Sequence, residues 1–174
     1  MTNIKTQKVS IKEIYQLQQI SKQTFFETFS SSNSEVNMEI YLEKEFSYEK
    51  LSAELNDKNV EFYFAIDEDK VIGYLKLNQA ASQTELKDDN AIEIERIYVL
   101  KEFHGKSIGQ VLYEKAISIA LQKNAEYIWL GVWEENPRAI RFYEKNGFLE
   151  FDKHIFKLGD DEQTDIMMKL ELMK

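Results

Sequence analysis

The sequence IERIYVLKEFHGKSIGQVL, residues 94–112, passes from an apolar run through a short loop into a helical pattern. The loop consists of His104, Gly105, Lys106, Ser107, Ile108 and Gly109, and apolar residues keep a helical spacing after it. The first backbone amides of a helix have no partner within the helix, and the helix dipole adds positive charge there. Glycines let an anion come close to those amides. These residues predict a strand–loop–helix unit that binds an anion.

This loop differs from the common nucleotide-binding loops. The pattern GxxxxGK[ST] of nucleoside-triphosphate-cleaving enzymes is absent, and so is the pattern GxGxxG of dinucleotide-binding domains. Lys106 adds positive charge, and His104 and Ser107 can donate hydrogen bonds. We therefore expect an anion site that does not serve nucleoside-triphosphate cleavage.

Helical and strand patterns alternate along the rest of the chain. A capping box of Ser10 and Glu13 starts the first helix, and Pro137 follows the N-cap Asn136 of the last. The patterns predict helices at 10–29, 36–45, 48–56, 108–123 and from 136 to a stop at Gly147, strands at 61–66, 71–77, 92–100, 127–133, 148–156 and 165–172, and an acidic loop at 159–164. The order predicts a mixed α/β fold on one sheet, in a single domain of residues 1–174.

Composition excludes several classes of function. The chain has 22 basic and 31 acidic residues, and its net charge of −9 argues against nucleic-acid binding and suits a small cationic partner. It contains no cysteine, and its only histidines are His104 and His154, so no metal site is expected. No apolar run reaches the ~20 residues that span a bilayer, and the N-terminus lacks the apolar core of a signal peptide. We expect a cytoplasmic protein with no membrane partner.

A second segment of the sequence indicates a more specific class of protein. ENPRAIRFYEKNGF, residues 135–148, follows an apolar strand that comes after the loop. Together with residues 94–112 it resembles the two signature segments of the GCN5-related N-acetyltransferases (GNAT). Their pattern [QR]-x-x-G-x-[GA] falls on residues 104–109, with His104 in place of Gln or Arg and Ser107 in place of Gly. TFFETF, IEIERIYV, YIWLGVWEEN and LGDDEQTDIMMK are similar to the bacterial PaiA-type spermidine/spermine N-acetyltransferases.

The resemblance implies a fold and a co-substrate. The GNAT fold has a central mixed, mostly antiparallel sheet with helices on both faces, and two of its strands splay apart at the acetyl-CoA cleft. Here these strands are 92–100 and 127–133. The backbone of Ile97, Tyr98 and Val99 would pair with the pantetheine, and the Val99 amide would donate to the thioester oxygen. The amides of residues 104–109 would bind the pyrophosphate.

The resemblance also implies roles for the helix that begins at residue 136. Asn136 and Ala139 would lie near the pantetheine and thiol, and Tyr143 matches the tyrosine that protonates the CoA sulfur in many members. A phenol with a pKa near ~10 can protonate a thiolate as it forms. The alternatives are that Asn136 only caps the helix and that Tyr143 only packs it on the sheet.

Residues for the acceptor amine are carried by the same resemblance. Glu95 holds the position of the carboxylate proposed as base in polyamine acetyltransferases, acting directly or through water, and Glu93 on the same strand face is the competitor. Ammonium groups bind carboxylates and aromatic faces, and the candidate contacts are Glu27, Glu95, Trp133, Asp160 and Asp161. For the last two, a solvated acidic turn is the alternative.

Two other functions stay open at this point. The acceptor could be a protein N-terminus, a lysine side chain or an aminoglycoside in place of a polyamine. The chain could also be an acyl-CoA-binding regulatory module without turnover, because His104 and Ser107 depart from the usual loop. The sequence does not distinguish a monomer from a homodimer.

Overall fold

A computed structural model describes residues 3–172 of the chain. In this range there are seven strands and five α-helices. Their bounds are β1 Lys5–Lys8, α1 Ile14–Phe29, α2 Glu35–Glu45, α3 Tyr48–Leu55, β2 Val60–Asp67, β3 Lys70–Gln79, β4 Ala91–Val99, α4 Ile108–Gln122, β5 Tyr127–Trp133, α5 Pro137–Lys145, β6 Leu149–Leu158 and β7 Asp161–Glu171. The mixed α/β fold predicted from the sequence is confirmed.

The seven strands form one sheet in the order β1-β2-β3-β4-β5-β7-β6. All neighbours are antiparallel except β4 and β5, which are parallel and are connected through α4. A parallel pair needs such a crossover, because the chain must return to the same end of the sheet. The loop of residues 104–109 lies in this crossover and precedes its helix.

Helices cover both faces of the sheet, and β3 is buried on both of its faces. Tyr74 points to α1, where its phenol lies beside Ser21, and both residues are fully buried. The neighbouring Gly73 points to the other face, where the Leu112 side chain of α4 lies 3.4 Å from the position of an added Cβ. The core therefore has two layers, with α1 on one side of the sheet and α4 on the other.

The strands β4 and β5 diverge along their length. Their pairing runs only from Ala91 opposite Tyr127 to Ile94 opposite Leu130, although both strands continue. On its other edge β5 stays paired with β7 as far as Trp133. A gap therefore opens in the sheet beyond Ile94, as the family resemblance implies.

A β-bulge lies at the start of this gap. Lys76 of β3 is opposite Arg96, but the next residue, Leu77, is opposite Ile94, so Glu95 has no partner on β3. A bulge of this kind bends a strand and changes the direction of its side chains. It allows the neighbouring residues Glu95 and Arg96 to form an ion pair, with Arg96 Nη2 3.3 Å from Glu95 Oε2.

Two regions differ from the sequence predictions. The strand β1 is not predicted, since KTQK is short and polar and lies at the edge of the sheet. The acidic segment 159–164 is not a loop, because β6 and β7 extend until Leu158 pairs with Asp161. Only Gly159 and Asp160 form the turn, where Gly159 has a φ of +65°, in the left-handed region that favours glycine. The predicted capping box at Ser10 and Glu13 is confirmed.

Candidate active site

The gap between β4 and β5 exposes backbone hydrogen-bonding groups of β4. The Leu100 amide donates to Ile72 of β3 at 2.9 Å. Because backbone groups alternate in direction along an antiparallel ladder, Tyr98 also faces β3, whereas Val99 and Ile97 face the gap. Backbone pairing with an extended ligand is therefore possible at Ile97 and Val99. The backbone of Tyr98 is paired with Tyr74 of β3, so this register does not favour its pairing with a ligand, and the predicted Tyr98 contact stays a prediction.

The loop after β4 presents a row of unpaired amides. His104 N donates to Lys101 O at 3.1 Å and Val111 N donates to Ser107 O at 3.3 Å, but the amides of residues 105–110 donate to no oxygen of residues 3–172. Apart from chain neighbours and the backbone of α4 itself, a Cβ added at Gly105 or Gly109 would meet no atom of residues 3–172 within 4 Å. The loop therefore has free donors and open space in front of them, as an anion site requires.

Ser107 adopts an unusual backbone conformation at the start of α4. Its φ of 63° and ψ of 19° lie in the left-handed region, and its side chain does not cap the helix. This conformation costs a non-glycine residue about 1 kcal/mol. A glycine at this position could adopt the same backbone conformation without this strain.

His104 connects β4 to α5. Its Nδ1 lies 2.9 Å from Arg138 Nη1, and its Nε2 lies 2.9 Å from the Val99 carbonyl. A guanidinium only donates, so Nδ1 accepts and the Nε2–H group donates to Val99, which corresponds to the neutral imidazole. The histidine side chain thus supports the loop, and its ring nitrogens are both engaged. Arg138 was not predicted from the sequence, and its place in the first turn of α5 gave no signal.

The first turn of α5 closes the same end of the gap. Asn136 Oδ1 accepts a hydrogen bond from the Ala139 amide at 3.2 Å, with Pro137 at the first helical position. Asn136 therefore caps the helix, and the predicted contact of Asn136 with a ligand stays a prediction. Its side-chain amide group donates no hydrogen bond within residues 3–172.

Tyr143 is 5% exposed and packs among aromatic rings on the α4 face of the sheet. Its ring centroid lies 5.5 Å from that of Phe148 and 5.2 Å from that of Phe142. Burial raises the pKa of Tyr143 above its usual value, with a smaller contribution from Tyr113. The hydroxyl has no hydrogen-bond partner in the described chain, although it is not fully enclosed. It is thus a protonated donor without a protein acceptor.

Glu95 lies in a network of buried charges on the α1 face. Lys76, 3% exposed, pairs with Glu95 Oε1 at 2.9 Å and also with Glu54. Arg96 pairs with Glu95 Oε2 and stacks on Phe46, with its guanidinium carbon 4.7 Å from the ring centroid. Burial opposes the ionisation of Glu95, but Arg96 and Lys76 outweigh it and hold the pKa of Glu95 at about 2. This carboxylate is permanently charged at neutral pH.

The pKa of Glu93 is shifted in the opposite direction to that of Glu95. It is 3% exposed, and its carboxylate accepts hydrogen bonds from the Thr84 amide at 2.8 Å and the Thr84 hydroxyl at 2.6 Å. Asn78 Nδ2 donates to both Glu93 and Glu95, at 3.0 and 2.7 Å. Burial raises the pKa of Glu93 despite these hydrogen bonds. The two carboxylates proposed from the sequence are therefore adjacent but differ in their affinity for a proton.

Aromatic rings form a wall beside the end of β5. Trp133 lies 5.3 Å from Phe29 of α1 between ring centroids, and Phe29 lies 6.2 Å from Phe156 of β6. Tyr41 of α2 stands edge-on to Phe156 at 5.8 Å. The wall brings α1, α2 and β6 together on the face of the sheet opposite α4, where an acceptor could reach the gap.

The remaining predicted acidic residues have structural partners outside this wall. Glu27 Oε1 accepts a hydrogen bond from the Lys101 amide at 2.9 Å, which connects α1 to the turn after β4. Asp160 Oδ1 accepts from Asn37 at 2.6 Å, and Asp161 Oδ2 accepts from Gln163 at 3.1 Å. The structure does not bring these three carboxylates together into one cation site.

Another carboxylate, not predicted from the sequence, lies closer to the gap. Asp165 of β7 is half-buried and is paired in register with Trp133 of β5 and His154 of β6. Its only sequence signal is an acidic residue at the start of the apolar strand DIMMKL. Within residues 3–172, no three His, Asp or Glu side chains form a metal-binding group, and no helix is long and apolar enough to cross a membrane.

These features fit coenzyme A. An extended pantetheine can pair with the gap-facing groups of Ile97 and Val99, and the free amides of residues 105–110 can bind the pyrophosphate. The open space at Gly109 would be filled by a Cβ and is available to phosphate oxygens. Lys106 is exposed next to this space and supplies positive charge.

Comparisons with known proteins agree with this geometry. The model of the acetyltransferase (GNAT) family matches residues 14–148. An uncharacterised N-acetyltransferase of Lactobacillus delbrueckii subsp. lactis is 40% identical over 173 residues, which are 99% of this chain and 100% of that protein. A spermidine N(1)-acetyltransferase of Thermoplasma acidophilum is 27% identical over 171 residues, 96% of each protein.

Solved structures show the same fold. The PaiA N-acetyltransferase of T. acidophilum in complex with coenzyme A has a TM-score of 0.80 and 26% identity, over 98% of this chain and 99% of that one. The ribosomal-protein-S18-alanine N-acetyltransferase of Escherichia coli has a TM-score of 0.74 at 14% identity, over 99% and 96%. The second likeness concerns the fold alone. The chain belongs to the GNAT family of acetyltransferases and is an N-acetyltransferase that uses acetyl-CoA.

Proposed function

We propose that this acetyltransferase transfers the acetyl group to a primary amine of a polyamine such as spermidine or spermine. The observation that carries this proposal is the 27% identity to a spermidine N(1)-acetyltransferase along 96% of both proteins. The acceptor side of the gap, with its aromatic wall and its carboxylates, is chemically suited to a cationic chain. The likeness to an S18-alanine acetyltransferase shows that the fold accommodates other acceptors. The acceptor of each protein therefore depends on the side chains that line its site.

The reaction sets the demands on the side chains. Acetyl-CoA supplies the activated acetyl group. The amine nitrogen bonds to the acetyl carbon, the carbon–sulfur bond breaks, and the two protons lost by the ammonium go to the sulfur and to solvent. The Val99 amide faces the gap and can donate to the thioester oxygen, where negative charge develops.

Tyr143 is the proposed donor to the sulfur. Because burial raises its pKa, the hydroxyl is protonated at every working pH, which is the form that an acid needs. Within residues 3–172 the hydroxyl also has no acceptor that would compete with the sulfur. The packing of its ring against Phe148 fixes its direction.

Glu95 is the proposed partner of the reacting amine. Its side chain is 20% exposed, so solvent reaches it more readily than the enclosed Glu93. With a pKa of about 2 it cannot keep a proton, but its fixed charge can orient a water molecule that carries the proton away. Glu93, whose pKa is raised, is the alternative proton acceptor.

A thiol-release assay tests the function. The protein is incubated with acetyl-CoA and one of four acceptors: spermidine, spermine, an aminoglycoside or a peptide with an N-terminal alanine. We expect thiol release with the polyamines, and mass spectrometry of the product should show one added acetyl group. Turnover with the peptide or aminoglycoside alone would assign another acceptor. Tight acetyl-CoA binding without turnover on any amine would support a regulatory module.

A further inference from the structure

Asp165 is a carboxylate beside the gap. It forms no hydrogen bond and no ion pair with any of residues 3–172, although it is half-buried on β7, which lies between β5 and β6 in the sheet. Burial raises the pKa of Asp165, and His154 opposes this rise. A buried carboxylate costs free energy unless a donor or a cation satisfies it. The position of Asp165 therefore calls for a ligand group of positive charge.

The strand beside Asp165 leaves its carboxylate uncovered. Gly131 of β5 has no side chain, and Asp165 Oδ2 lies 3.4 Å from the place where a Cβ would stand. Gly131 follows Leu130, the last residue of β5 that pairs with β4, so it lies at the gap itself. Gly131 is also exposed, which leaves open space over the carboxylate.

The surroundings of Asp165 suit an ammonium group. Trp133 is its direct neighbour on β5 and belongs to the aromatic wall with Phe29. On the β4 side, the pKa of Tyr98 is raised well above its usual value, by burial first, then by Tyr74 and Tyr41, and to a smaller extent by Asp165. Aromatic faces and a carboxylate together bind ammonium groups better than either alone.

Asp165 and Glu95 differ in the number of cations that are paired with each carboxylate. Lys76 and Arg96 lie 2.9 and 3.3 Å from the Glu95 oxygens, so Glu95 already has two cations. Asp165 has none within 4 Å among the described residues. An ammonium group of the substrate would have to compete with Lys76 and Arg96 for Glu95. At Asp165 it would meet no competing cation among the described residues.

We propose that Asp165 is a specificity-determining residue that binds a positively charged nitrogen of the acceptor amine at the β5 side of the gap. This inference rests on the proposed amine acetyltransferase function and adds a residue that decides which acceptors bind. The carboxylate and the aromatic ring of Trp133 would favour polyamines and other cationic amines over uncharged nucleophiles.

The test compares Asp165→Asn, Asp165→Glu and the parent. Asparagine keeps the size of the side chain and removes its charge, and glutamate restores the charge. The matched control is Asp152→Asn on the neighbouring strand β6, where the aspartate is exposed and bonds only to the adjacent Lys153 amide. Calorimetry measures spermidine and n-butylamine binding to the CoA complex, and steady-state kinetics measures KM and kcat for spermidine.

We expect Asp165→Asn to weaken spermidine binding and raise its KM by about tenfold or more, as for the loss of a charge-assisted contact. The affinity for CoA should stay unchanged, the salt dependence of the spermidine KM should decrease, and Asp165→Glu should recover part of the loss. The control should match the parent.

Two results would overturn the inference in distinguishable ways. If spermidine binds or reacts with the parent and Asp165→Asn changes neither quantity by more than the control does, Asp165 is not an acceptor contact and the amine acetyltransferase function stands. If neither amine binds to the parent CoA complex and neither is acetylated, the inference fails together with the proposed function.

Discussion

Gly109→Val tests whether the α4 loop binds the pyrophosphate. Apart from its chain neighbours and its own helix backbone, a Cβ at Gly109 meets no atom of residues 3–172 within 4 Å, so the variant should fold normally. Valine is no worse than glycine in a helix, and we expect the free energy of unfolding to change by less than about 1 kcal/mol. The added methyl groups would instead occupy the open space in front of the amides of residues 105–110.

The expected loss of affinity follows from those amides. If the valine keeps a phosphate oxygen away from one of them, a hydrogen bond to a charged group is lost, worth about 1.5–3 kcal/mol. This corresponds to a rise in Kd for CoA of roughly tenfold to more than a hundredfold. Calorimetric titration with CoA measures it, and urea unfolding reports the stability.

Ser118→Val is the matched control, because Ser118 is exposed further along the same helix. It should bind CoA like the parent. A folded Gly109→Val protein whose Kd for CoA equals that of Ser118→Val would show that the loop does not hold the pyrophosphate. The assignment of residues 104–109 would then have to be abandoned.

Three further substitutions test other parts of the site. Tyr143→Phe should lower kcat by ~10²–10⁴-fold and leave the CoA affinity unchanged, because only the acid is removed; full kcat across the pH range would make the tyrosine structural. Ser107→Gly should relieve the left-handed strain and change the free energy of unfolding by up to about 1 kcal/mol in the stabilising direction. A loss of stability on urea unfolding would contradict that reasoning. Glu95→Gln should cost about 3 kcal/mol of folding free energy at pH 7, since a folded pKa of about 2 lies below the ordinary 4.5. That contribution is present above pH 4.5 and is lost as the pH falls towards 2, so the difference from the parent should shrink in acid; a constant difference would refute it.

Most elements of the fold follow from local patterns. The strand β5 and the helix α4 are strongly apolar and are bounded by turn residues, so their positions can be predicted from periodicity. The strand β1 cannot be predicted in this way, because KTQK has no apolar face and forms only by pairing with β2. The extension of β6 and β7 through 159–164 likewise depends on pairing between the strands and overrides the polar composition.

The site is predictable where it depends on a loop and not where it depends on register. Gly105 and Gly109 indicate an anion site because their lack of side chains is a local property. The direction of the Tyr98 backbone and the bulge at Glu95 are set by the alignment of β4 with β3, which no local pattern contains. Asp165 reaches the gap through its pairing with Trp133, and this too is a long-range property.

The short junction between β4 and β5 couples ligand binding to the folding of the protein. Among residues 3–172, four residue pairs, from Ala91–Tyr127 to Ile94–Leu130, are the only strand pairing between the block β1–β4 and the block β5–β7–β6. A co-substrate that pairs with Ile97 and Val99 would extend the hydrogen bonding of β4 beyond the point where β5 stops pairing with it. Native-state binding stabilises a protein by about 2.7 kcal/mol at a ligand concentration of 100 Kd. Hydrogen exchange at the Ile97 and Val99 amides should therefore slow on CoA binding, while exchange at Tyr98, already bonded to β3, should change only with global stability.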